Sequence, residues 1–168
     1  MNSKVFWITH VGGGRLAIMP RPRGGMFLEA EIARFAAENI HIVVSCLTQP
    51  EVLAQGLMAE PDLCREQGIT FISHPIVDHF IPDSMPDTAR VIQQLHGFLL
   101  EGKNVAIHCY AGIGRSALLA GCVLILDGMN VNDAFEVISK ARDWPVPEMK
   151  KQYDWAIKFA EGYQGPES

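Results

Sequence analysis

The sequence predicts an α/β domain in which helices flank a central, mostly parallel sheet and a β-hairpin forms the N-terminus. Short apolar runs of strand length alternate with amphipathic segments of helical period, as that class requires. The run 105–107, the glycine-bearing loop after it and the apolar segment 117–126 form one strand–loop–helix unit. With 168 residues, the chain suffices for one domain, which we place at 1–162, followed by a C-terminal tail at 163–168.

The first half of the chain is assigned from its turns and its apolar periodicity. Three glycines at 12–14 separate the apolar runs 5–9 and 16–19. Because a strand follows them where a nucleotide-binding loop would need a helix, they predict a hairpin turn. After a basic connector at 20–25, a helix runs to about Asn39. Its apolar face consists of Leu28, Ile32, Phe35 and Ala36.

The run 40–44 is predicted as a buried strand, with Ser45 and Cys46 at its carboxyl end. Active sites gather at those ends in open α/β sheets. The next elements are expected to be short helices at 50–57 and 61–67, a strand at 69–72 and a proline-rich loop at 73–86.

The second half is predominantly helical. A helix from about Pro86 to a stop at Gly102 has an apolar face of Val91, Leu95, Phe98 and Leu99. After the segment 117–126, Asn132 or Asp133 is expected to cap a helix that reaches Ala141. The stripe on the last predicted helix consists of Met149, Tyr153, Ala156, Ile157 and Ala160.

Composition and charge restrict the class of function. The net charge of −5 argues against a nucleic-acid partner. No apolar run reaches the length of a membrane span and the N-terminus lacks a signal-peptide pattern, so we expect a cytoplasmic protein. The four cysteines show neither a CxxC pair nor a zinc-like spacing, which favours a reducing compartment. Nothing in the sequence indicates the oligomeric state.

The strand–loop–helix unit contains the motif His108-Cys109-Tyr-Ala-Gly-Ile-Gly-Arg115-Ser116. Backbone N–H groups of such a loop, at a helix N-terminus, form a cradle for an anion. They also stabilise a cysteine as the nucleophilic thiolate, and an arginine offers a planar fork that matches two phosphate oxygens. Cys109 and Arg115 therefore face one tetrahedral oxyanion from opposite sides. The N–H groups of the cradle belong to Tyr110, Ala111, Gly112, Ile113 and Gly114.

Transfer of a phosphoryl group to Cys109 also requires a general acid, because the departing oxygen is a poor leaving group. The proline-rich loop offers two candidates, Asp78 and Asp83. Asp83 and Asp87 also precede a helical pattern, so helix capping is an alternative role for both.

These landmarks resemble the cysteine-dependent Cys-x5-Arg protein tyrosine and dual-specificity phosphatases. The resemblance is closest to the kinase-associated phosphatase type, also called cyclin-dependent kinase inhibitor phosphatases. The matching segments are Ser45-Cys46, Gly68-Ile69, the stretch 75–83 and the motif 108–116. The resemblance implies a single-domain protein tyrosine phosphatase-like fold, a phosphocysteine intermediate and no cofactor.

The resemblance also implies a role for each motif residue. Cys109 would be the nucleophile, Arg115 the phosphate clamp, and Ser116 the group that stabilises the departing thiolate. His108 would act from behind the loop, fixing its shape and favouring the thiolate form of Cys109. The register of Pro75, Asp78, His79 and Pro82 matches the acid loop of these enzymes, which selects Asp78 over Asp83 as general acid and base.

A phosphorylated protein is the substrate that the resemblance implies. The chain lacks the segments that deepen tyrosine-specific sites, so phosphoserine and phosphothreonine are expected besides phosphotyrosine. Arg21, Arg23 and His79 are candidate substrate contacts. The loop lacks the lysines of phosphoinositide phosphatases, which disfavours a lipid substrate, although Arg21 and Arg23 could replace them. A sulfurtransferase, an arsenate reductase and a non-catalytic phosphate-binding module remain alternatives.

Three further features concern the surroundings of the loop. Glu148 stands where classical tyrosine phosphatases have the first glutamine of a water-positioning Gln-Thr-x-x-Gln segment. The sequence therefore leaves open whether Gln152 helps to position water or has a structural role only. Cys46 is a candidate redox partner of Cys109, with an inert buried thiol as the alternative. The six histidines form no metal-binding pattern, and Arg115 with the backbone supplies the positive field, so no metal is expected.

Overall fold

The computed structural model describes residues 3–163, which form a five-stranded sheet between two layers of helices. The strands are β1 (Phe6–Val11), β2 (Gly14–Met19), β3 (Ile42–Ser45), β4 (Thr70–Ser73) and β5 (Val105–His108). The helices are α1 (Leu28–Ala37), α2 (Gln49–Ala54), α3 (Glu60–Glu66), α4 (Met85–Leu100), α5 (Arg115–Leu126), α6 (Val131–Arg142) and α7 (Lys150–Tyr163).

The strand order is β1-β2-β5-β3-β4, and only β1 runs antiparallel to its neighbour. The predicted mostly parallel sheet with an N-terminal hairpin is therefore confirmed. The central strand β5 aligns His108 with Met19 of β2 on one side and with Ser45 of β3 on the other. Since all three strands are parallel, Pro20, Cys46 and Cys109 follow them at the same edge of the sheet.

The core lies on both faces of the sheet because successive strand residues point to opposite sides. In β2, Leu16 and Ile18 join the core beneath α4–α7, whereas Ala17 and Met19 join the core beneath α1 and α3. Both cores include residues of all three central strands, which explains why these strands are buried from end to end.

Helix α5 is the centre of the larger layer. It packs on α4, α6 and α7 as well as on the sheet, and every residue from Arg115 to Ile125 is buried. A Cβ atom at Gly121 would lie 2.7 Å from the Phe135 ring, so the small residue allows α6 to approach closely. The burial of α5 holds its N-terminus, and with it the Cys109 loop, in a fixed position.

Two predicted helix caps are wrong. Helix α4 is capped by Ser84, whose Oγ accepts the Asp87 N–H at 3.2 Å, and not by Asp83 or Asp87. Helix α6 is capped by Asn130, not by Asn132 or Asp133, and its side-chain oxygen accepts the Asp133 N–H at 2.8 Å. In both cases the acidic residue lies in the first helical turn, where its charge still interacts favourably with the helix dipole.

The predicted apolar stripe of the last helix is partly wrong. In α7 the side chains of Gln152, Trp155, Ala156 and Phe159 are buried, whereas Ile157 is 38% exposed. The amide of Gln152 is bonded to the backbone, so a polar residue occupies the core face and the apolar pattern is misread.

Helix α7 extends to Tyr163, one residue into the predicted tail, and residues 164–168 of that tail lie outside the described part of the chain. None of the helices between residues 3 and 163 combines the length and the apolarity that crossing a bilayer requires.

Candidate active site

The loop between β5 and α5 forms the floor of the candidate site. It turns at Gly112, whose φ of +76° favours glycine, and a Cβ atom there would lie 2.7 Å from the carbonyl carbon of Met19. Gly114 then caps α5 without a side chain. The chain thus returns on itself between a strand and a helix N-terminus, as the sequence predicts.

Cys109 lies at the bottom of this loop and is 3% exposed. Its Sγ accepts the Gly112 N–H at 3.3 Å and lies 3.2 Å from Ser116 Oγ. Both contacts favour negative charge on the sulfur, as does the N-terminus of α5. The geometry therefore suits a thiolate nucleophile with Ser116 beside it.

Arg115 is held at its distal end by a glutamate that sequence analysis did not identify. Its Nη1 and Nη2 lie 2.8 and 3.0 Å from the two carboxylate oxygens of Glu51, and Nη1 also donates to the Ile76 carbonyl at 2.8 Å. Burial opposes the charged guanidinium, but the charges of Glu51, Cys109 and Asp78 outweigh it and raise the pKa of Arg115. Arg115 is thus a fixed, permanent cation beside the cradle.

Glu51 is itself positioned by the start of α2. Its carboxylate accepts the Thr48 N–H at 3.0 Å in a capping box. The Thr-x-x-Glu spacing could have predicted this cap from the sequence, but not the approach to Arg115, which is 64 positions away in the chain.

Asp78 lies in the same cavity as Cys109 and Arg115. One carboxylate oxygen is 3.0 Å from Arg115 Nη2, and the other is 3.2 Å from His79 Nε2. The cavity has a volume of about 290 Å³. Its lining consists of Asp78, His79, Cys109, Tyr110, Ala111, Ile113, Gly114, Arg115 and Glu148. Asp83 is exposed and is not in that lining, so the position of Asp78 favours it as the proton donor.

His108 is completely buried behind the loop, at the end of β5. Its Nε2 lies 2.7 Å from a carboxylate oxygen of Glu60, a residue that sequence analysis also missed. In the sequence, Glu60 directly precedes the helix predicted at 61–67, and nothing there indicates a contact with His108.

The candidate substrate contacts have different positions. His79 lines the cavity, and the Arg21 guanidinium stacks on the ring of Tyr110 at 5.0 Å. Arg23 is directed away from the cavity, because its Nε lies 3.6 Å from the buried carboxylate of Glu31. The structure therefore places Arg21 and His79 at the mouth of the site, but not Arg23.

Arg142, which sequence analysis missed, holds the outer side of the loop. From the last turn of α6, its Nε and Nη2 donate to the carbonyls of Gly112 and Ala111, both at 3.1 Å. Carbonyls bonded on the outside leave the N–H groups of the loop directed towards the cavity.

Glu148 and Gln152 both approach the loop at Gly114. A Cβ atom there would lie 3.0 Å from Glu148 Oε1 and 3.3 Å from Gln152 Nε2. The Gln152 amide accepts the Met149 N–H at 3.1 Å and donates to the Phe80 carbonyl at 3.2 Å. These bonds support a structural role for Gln152, whereas Glu148 faces the cavity.

Asp78, His79 and Glu148 each bring one atom capable of binding a metal to within 4.8 Å of the others, at the exposed rim of the cavity. A cation bound there would engage Asp78 and so occupy the expected proton donor. Two of the three residues already pair with each other, and Asp78 also pairs with Arg115.

Cys46 follows β3 directly beside Cys109, as expected, and its N–H donates to the His108 carbonyl at 2.9 Å. Complete burial, and then the negative charge of Cys109, raise the pKa of Cys46 well above the ordinary range. Cys46 is therefore a neutral thiol at neutral pH. Cys64 and Cys122 are buried in α3 and α5.

Comparison with known proteins identifies a matching family, related sequences and solved structures with the same fold. Residues 29–155 match the family model described as dual specificity phosphatase, catalytic domain. Cyclin-dependent kinase inhibitor 3 of Rattus norvegicus is 31% identical over 100 residues, which cover 58% of this chain and 47% of the relative. Dual specificity protein phosphatase 12 of Homo sapiens is 28% identical over 153 residues, which cover 72% of this chain and 44% of the relative.

The chain thus spans about half the length of the curated relatives it matches. Among solved structures, a kinase associated phosphatase with serine in place of its catalytic-site cysteine superimposes with a TM-score of 0.85 at 21% identity, covering 96% of both chains. At that identity the likeness establishes the α/β protein tyrosine phosphatase-like fold.

Proposed function

The chain belongs to the dual specificity phosphatase catalytic-domain family, and we propose that it hydrolyses phosphotyrosine, phosphoserine and phosphothreonine monoesters in proteins through a phosphocysteine intermediate. The observation that carries this proposal is the convergence of Cys109, Arg115 and Asp78 on one cavity. A nucleophile, a fixed cation and a carboxylate at one oxyanion site are the parts that phosphoryl transfer requires.

In the first step the Cys109 thiolate attacks phosphorus. The bond from phosphorus to the ester oxygen breaks, its electron pair stays on that oxygen, and Asp78 supplies the proton. Arg115 and the N–H groups of the loop hold the phosphoryl oxygens and stabilise the charge that develops on them.

In the second step water attacks the phosphocysteine and gives a proton to Asp78. The phosphorus–sulfur bond breaks with its electron pair on sulfur, and inorganic phosphate leaves. The contacts of Cys109 Sγ with the Gly112 N–H and with Ser116 Oγ support this step, because they stabilise the departing thiolate.

The breadth of the proposed substrate range rests on the rim of the cavity. Tyr110, Asp78 and His79 are exposed at that rim, and the chain lacks the segments that deepen tyrosine-specific sites, which supports access for phosphoserine and phosphothreonine. The family and the relatives favour a phosphorylated protein over a lipid, as does the absence of lysine from the loop residues 110–114.

The test is hydrolysis of p-nitrophenyl phosphate in EDTA by the wild type and by Cys109→Ser, Asp78→Ala and Asp83→Ala. We expect turnover by the wild type, none by Cys109→Ser, a loss of about 10²–10⁴-fold for Asp78→Ala, and little change for Asp83→Ala. Because Asp83 is an exposed aspartate of the same loop, it controls for nonspecific effects of removing a carboxylate.

Phosphopeptides that differ only in carrying phosphotyrosine, phosphothreonine or phosphoserine would then measure the breadth of specificity. Wild-type protein that is inactive on p-nitrophenyl phosphate and on all three peptides would contradict the proposal. Activity on thiosulfate with cyanide, unaffected by Asp78→Asn, would instead indicate sulfur transfer.

A further inference from the structure

The loop that carries Asp78, which we call the acid loop, comprises residues 74–84 between β4 and α4. Two backbone hydrogen bonds of 2.8 and 3.0 Å tie its residues 74 and 76 to the end of β3. Residues 77–81 are exposed. Because an exposed segment with few backbone hydrogen bonds opens readily, the position of Asp78 depends on contacts that the loop makes beyond residue 76.

Two consecutive residues of α7 contact Phe80 of the acid loop. Gln152 Nε2 donates to the Phe80 carbonyl at 3.2 Å, and Lys151 Nζ lies 3.8 Å from the centroid of the Phe80 ring. Within the part of the chain that the structure describes, the Gln152 bond is the one that ties the backbone of residues 77–83 to another element. An ammonium group over an aromatic face is attracted by the ring quadrupole. Helix α7 thus holds both the main chain and the side chain of Phe80.

A tight turn links Phe80 to Asp78. The Phe80 N–H donates to the Val77 carbonyl at 2.9 Å, and His79 has a φ of +69°. A bond between the first and fourth residues, with a positive φ at the third, is the pattern of a type II turn. Asp78 is the second residue of this turn. A fixed Phe80 therefore also fixes the direction in which the Asp78 side chain leaves the backbone.

Gln152 also packs against the floor of the cavity. It is completely buried, and its Oε1 accepts the Met149 N–H at 3.1 Å, which fixes the orientation of the amide. A Cβ atom at Gly114 would lie 3.3 Å from Gln152 Nε2. Gln152 therefore lies between the Cys109 loop and the acid loop and touches both.

We propose that Gln152 and Lys151 are positioning residues, which hold the acid loop over the cavity so that Asp78 reaches the oxygen of the leaving group. The inference rests on the proposed function, in which Asp78 is the proton donor. The 3.0 Å ion pair of Asp78 with Arg115 is not sufficient for this purpose, because a bound phosphoryl group takes the guanidinium for its own oxygens. The contacts of α7 with Phe80 do not involve that cation, so they persist when the substrate is bound.

The dependence of the rate on the leaving group measures how well the acid is placed. A more basic leaving oxygen needs the proton more, so a displaced Asp78 slows phenyl phosphate more than p-nitrophenyl phosphate. Gln152→Met keeps the length of the side chain but cannot donate. We expect it to lower the ratio of kcat/KM for phenyl phosphate to that for p-nitrophenyl phosphate by about tenfold. In an Asp78→Ala background it should lower this ratio no further.

Inhibition by vanadate separates this effect from damage to the Cys109 loop. Vanadate binds the N–H groups of the loop and Arg115 and requires no acid, so its affinity should be the same in Gln152→Met and in the wild type. A parallel loss of vanadate affinity would show that Gln152 acts on the loop instead, which would overturn the proposal.

Two adjacent lysines of α7 provide a matched pair of variants. Lys151→Met removes the ammonium group over Phe80 and should lower the leaving-group ratio by about threefold. Lys150→Met should leave the ratio unchanged, because Lys150 pairs with Asp154 at 2.9 Å. Both lysines are exposed, so these variants test the proposal even if Gln152→Met fails to fold. A wild-type ratio in Lys151→Met would refute the role of Lys151, and a wild-type ratio in a folded Gln152→Met would refute that of Gln152.

Amide hydrogen exchange, followed by mass spectrometry, provides a readout that requires no turnover. Peptides from residues 77–83 should exchange faster in Lys151→Met than in the wild type and in Lys150→Met, whereas peptides from β5 should not differ. Equal exchange of the acid loop in all three proteins would contradict the proposal. An inactive wild type with this exchange pattern would instead overturn the proposed function alone, so the two failures are distinguishable.

Discussion

A few neighbouring groups determine the electrostatic environment of the Cys109 sulfur. The Gly112 N–H and Ser116 Oγ lie within 3.3 Å of it, and the guanidinium groups of Arg115 and Arg142 act on it through space. At the residue scale, hydrogen-bond donors and positive charges therefore surround the sulfur and favour its thiolate form.

Cys46 provides a prediction at this scale. Peroxide should convert the Cys109 thiolate to a sulfenic acid, which the Cys46 thiol then attacks, releasing water and forming a disulfide. Burial, and then the negative charge of Cys109, raise the pKa of Cys46, and oxidation to the neutral sulfenic acid removes the second of these causes. Mass spectrometry of a non-reduced digest should contain a Cys46–Cys109 peptide.

Dithiothreitol should restore activity to the oxidised wild type but less completely to Cys46→Ala, in which Cys109 is open to further oxidation. Cys64→Ala serves as the control, because Cys64 is a buried thiol in α3 on the other face of the sheet. If no Cys46–Cys109 peptide forms, the redox role is excluded and Cys46 is an inert core residue.

At the scale of the elements, the shape of the loop depends on helix α6 as much as on its own glycines. Arg142 spans from the last turn of α6 to two loop carbonyls, and its guanidinium lies 4.2 Å from the ring centroid of Phe6 in β1. Burial lowers the pKa of Arg142, opposed by the charges of Cys109 and Asp143. The hairpin, α6 and the loop are thus joined by one side chain.

Replacing Arg142 by methionine should loosen the loop while keeping the apolar stem. Hydrogen bonds from a charged donor contribute about 1.5–3 kcal/mol each, so we expect kcat/KM for p-nitrophenyl phosphate to fall by about ten- to a hundredfold. The affinity for vanadate, measured by inhibition, should decrease in parallel. Lys140→Met, on the exposed side of the same helix, should change neither quantity. Wild-type kinetics and vanadate affinity in Arg142→Met would show that the loop keeps its shape unaided.

At the scale of the whole molecule, the site is assembled from segments scattered along the chain. Cys46 and Glu51 follow β3, Asp78 follows β4, and the loop follows β5. These segments meet because parallel strands end at one edge of the sheet.

Hydrogen-bonded carboxylates make the fold sensitive to acid. Burial favours the neutral forms of Glu31 and Glu51, but their hydrogen bonds outweigh it, so the pKa of each is lowered below 4.5. A lowered pKa means that the ionised forms stabilise the fold above pH 4.5 and that this stabilisation is lost as the pH falls through the folded value. The free energy of unfolding should therefore decrease on acidification below about pH 5, with a slope of up to about 1.4 kcal/mol per pH unit for each group.

Urea unfolding from pH 3 to 7 measures this slope. Glu31→Gln should flatten it, whereas Glu29→Gln, an exposed neighbour in α1, should leave it unchanged. An unaltered slope in Glu31→Gln would mean that other groups cause the acid sensitivity.

Most of the secondary structure could be predicted from the amino-acid sequence. The apolar runs predict the five strands β1–β5 to within about two residues, and each of the helices α1–α7 overlaps a predicted helix. The Cys109 loop is also readable, because its motif is contiguous. The predicted core face of α7 is wrong in part because a polar residue, Gln152, is buried there. The predicted cap of α6 is wrong because the actual cap, Asn130, lies two residues earlier than the first candidate.

The side chains that contact the active-site residues could not be predicted from the sequence. Glu51 binds Arg115 and Glu60 binds His108 across separations of 64 and 48 residues, and Arg142 reaches back 30 residues to Gly112. Arg21 and Arg23 lie in the same basic connector and look equivalent in the sequence. In the structure, however, Arg23 contacts Glu31. Secondary structure and a contiguous loop depend on neighbouring residues, so the amino-acid order is sufficient for them. Contacts between distant segments depend on how helices pack on the sheet, and that packing exists only in the folded molecule.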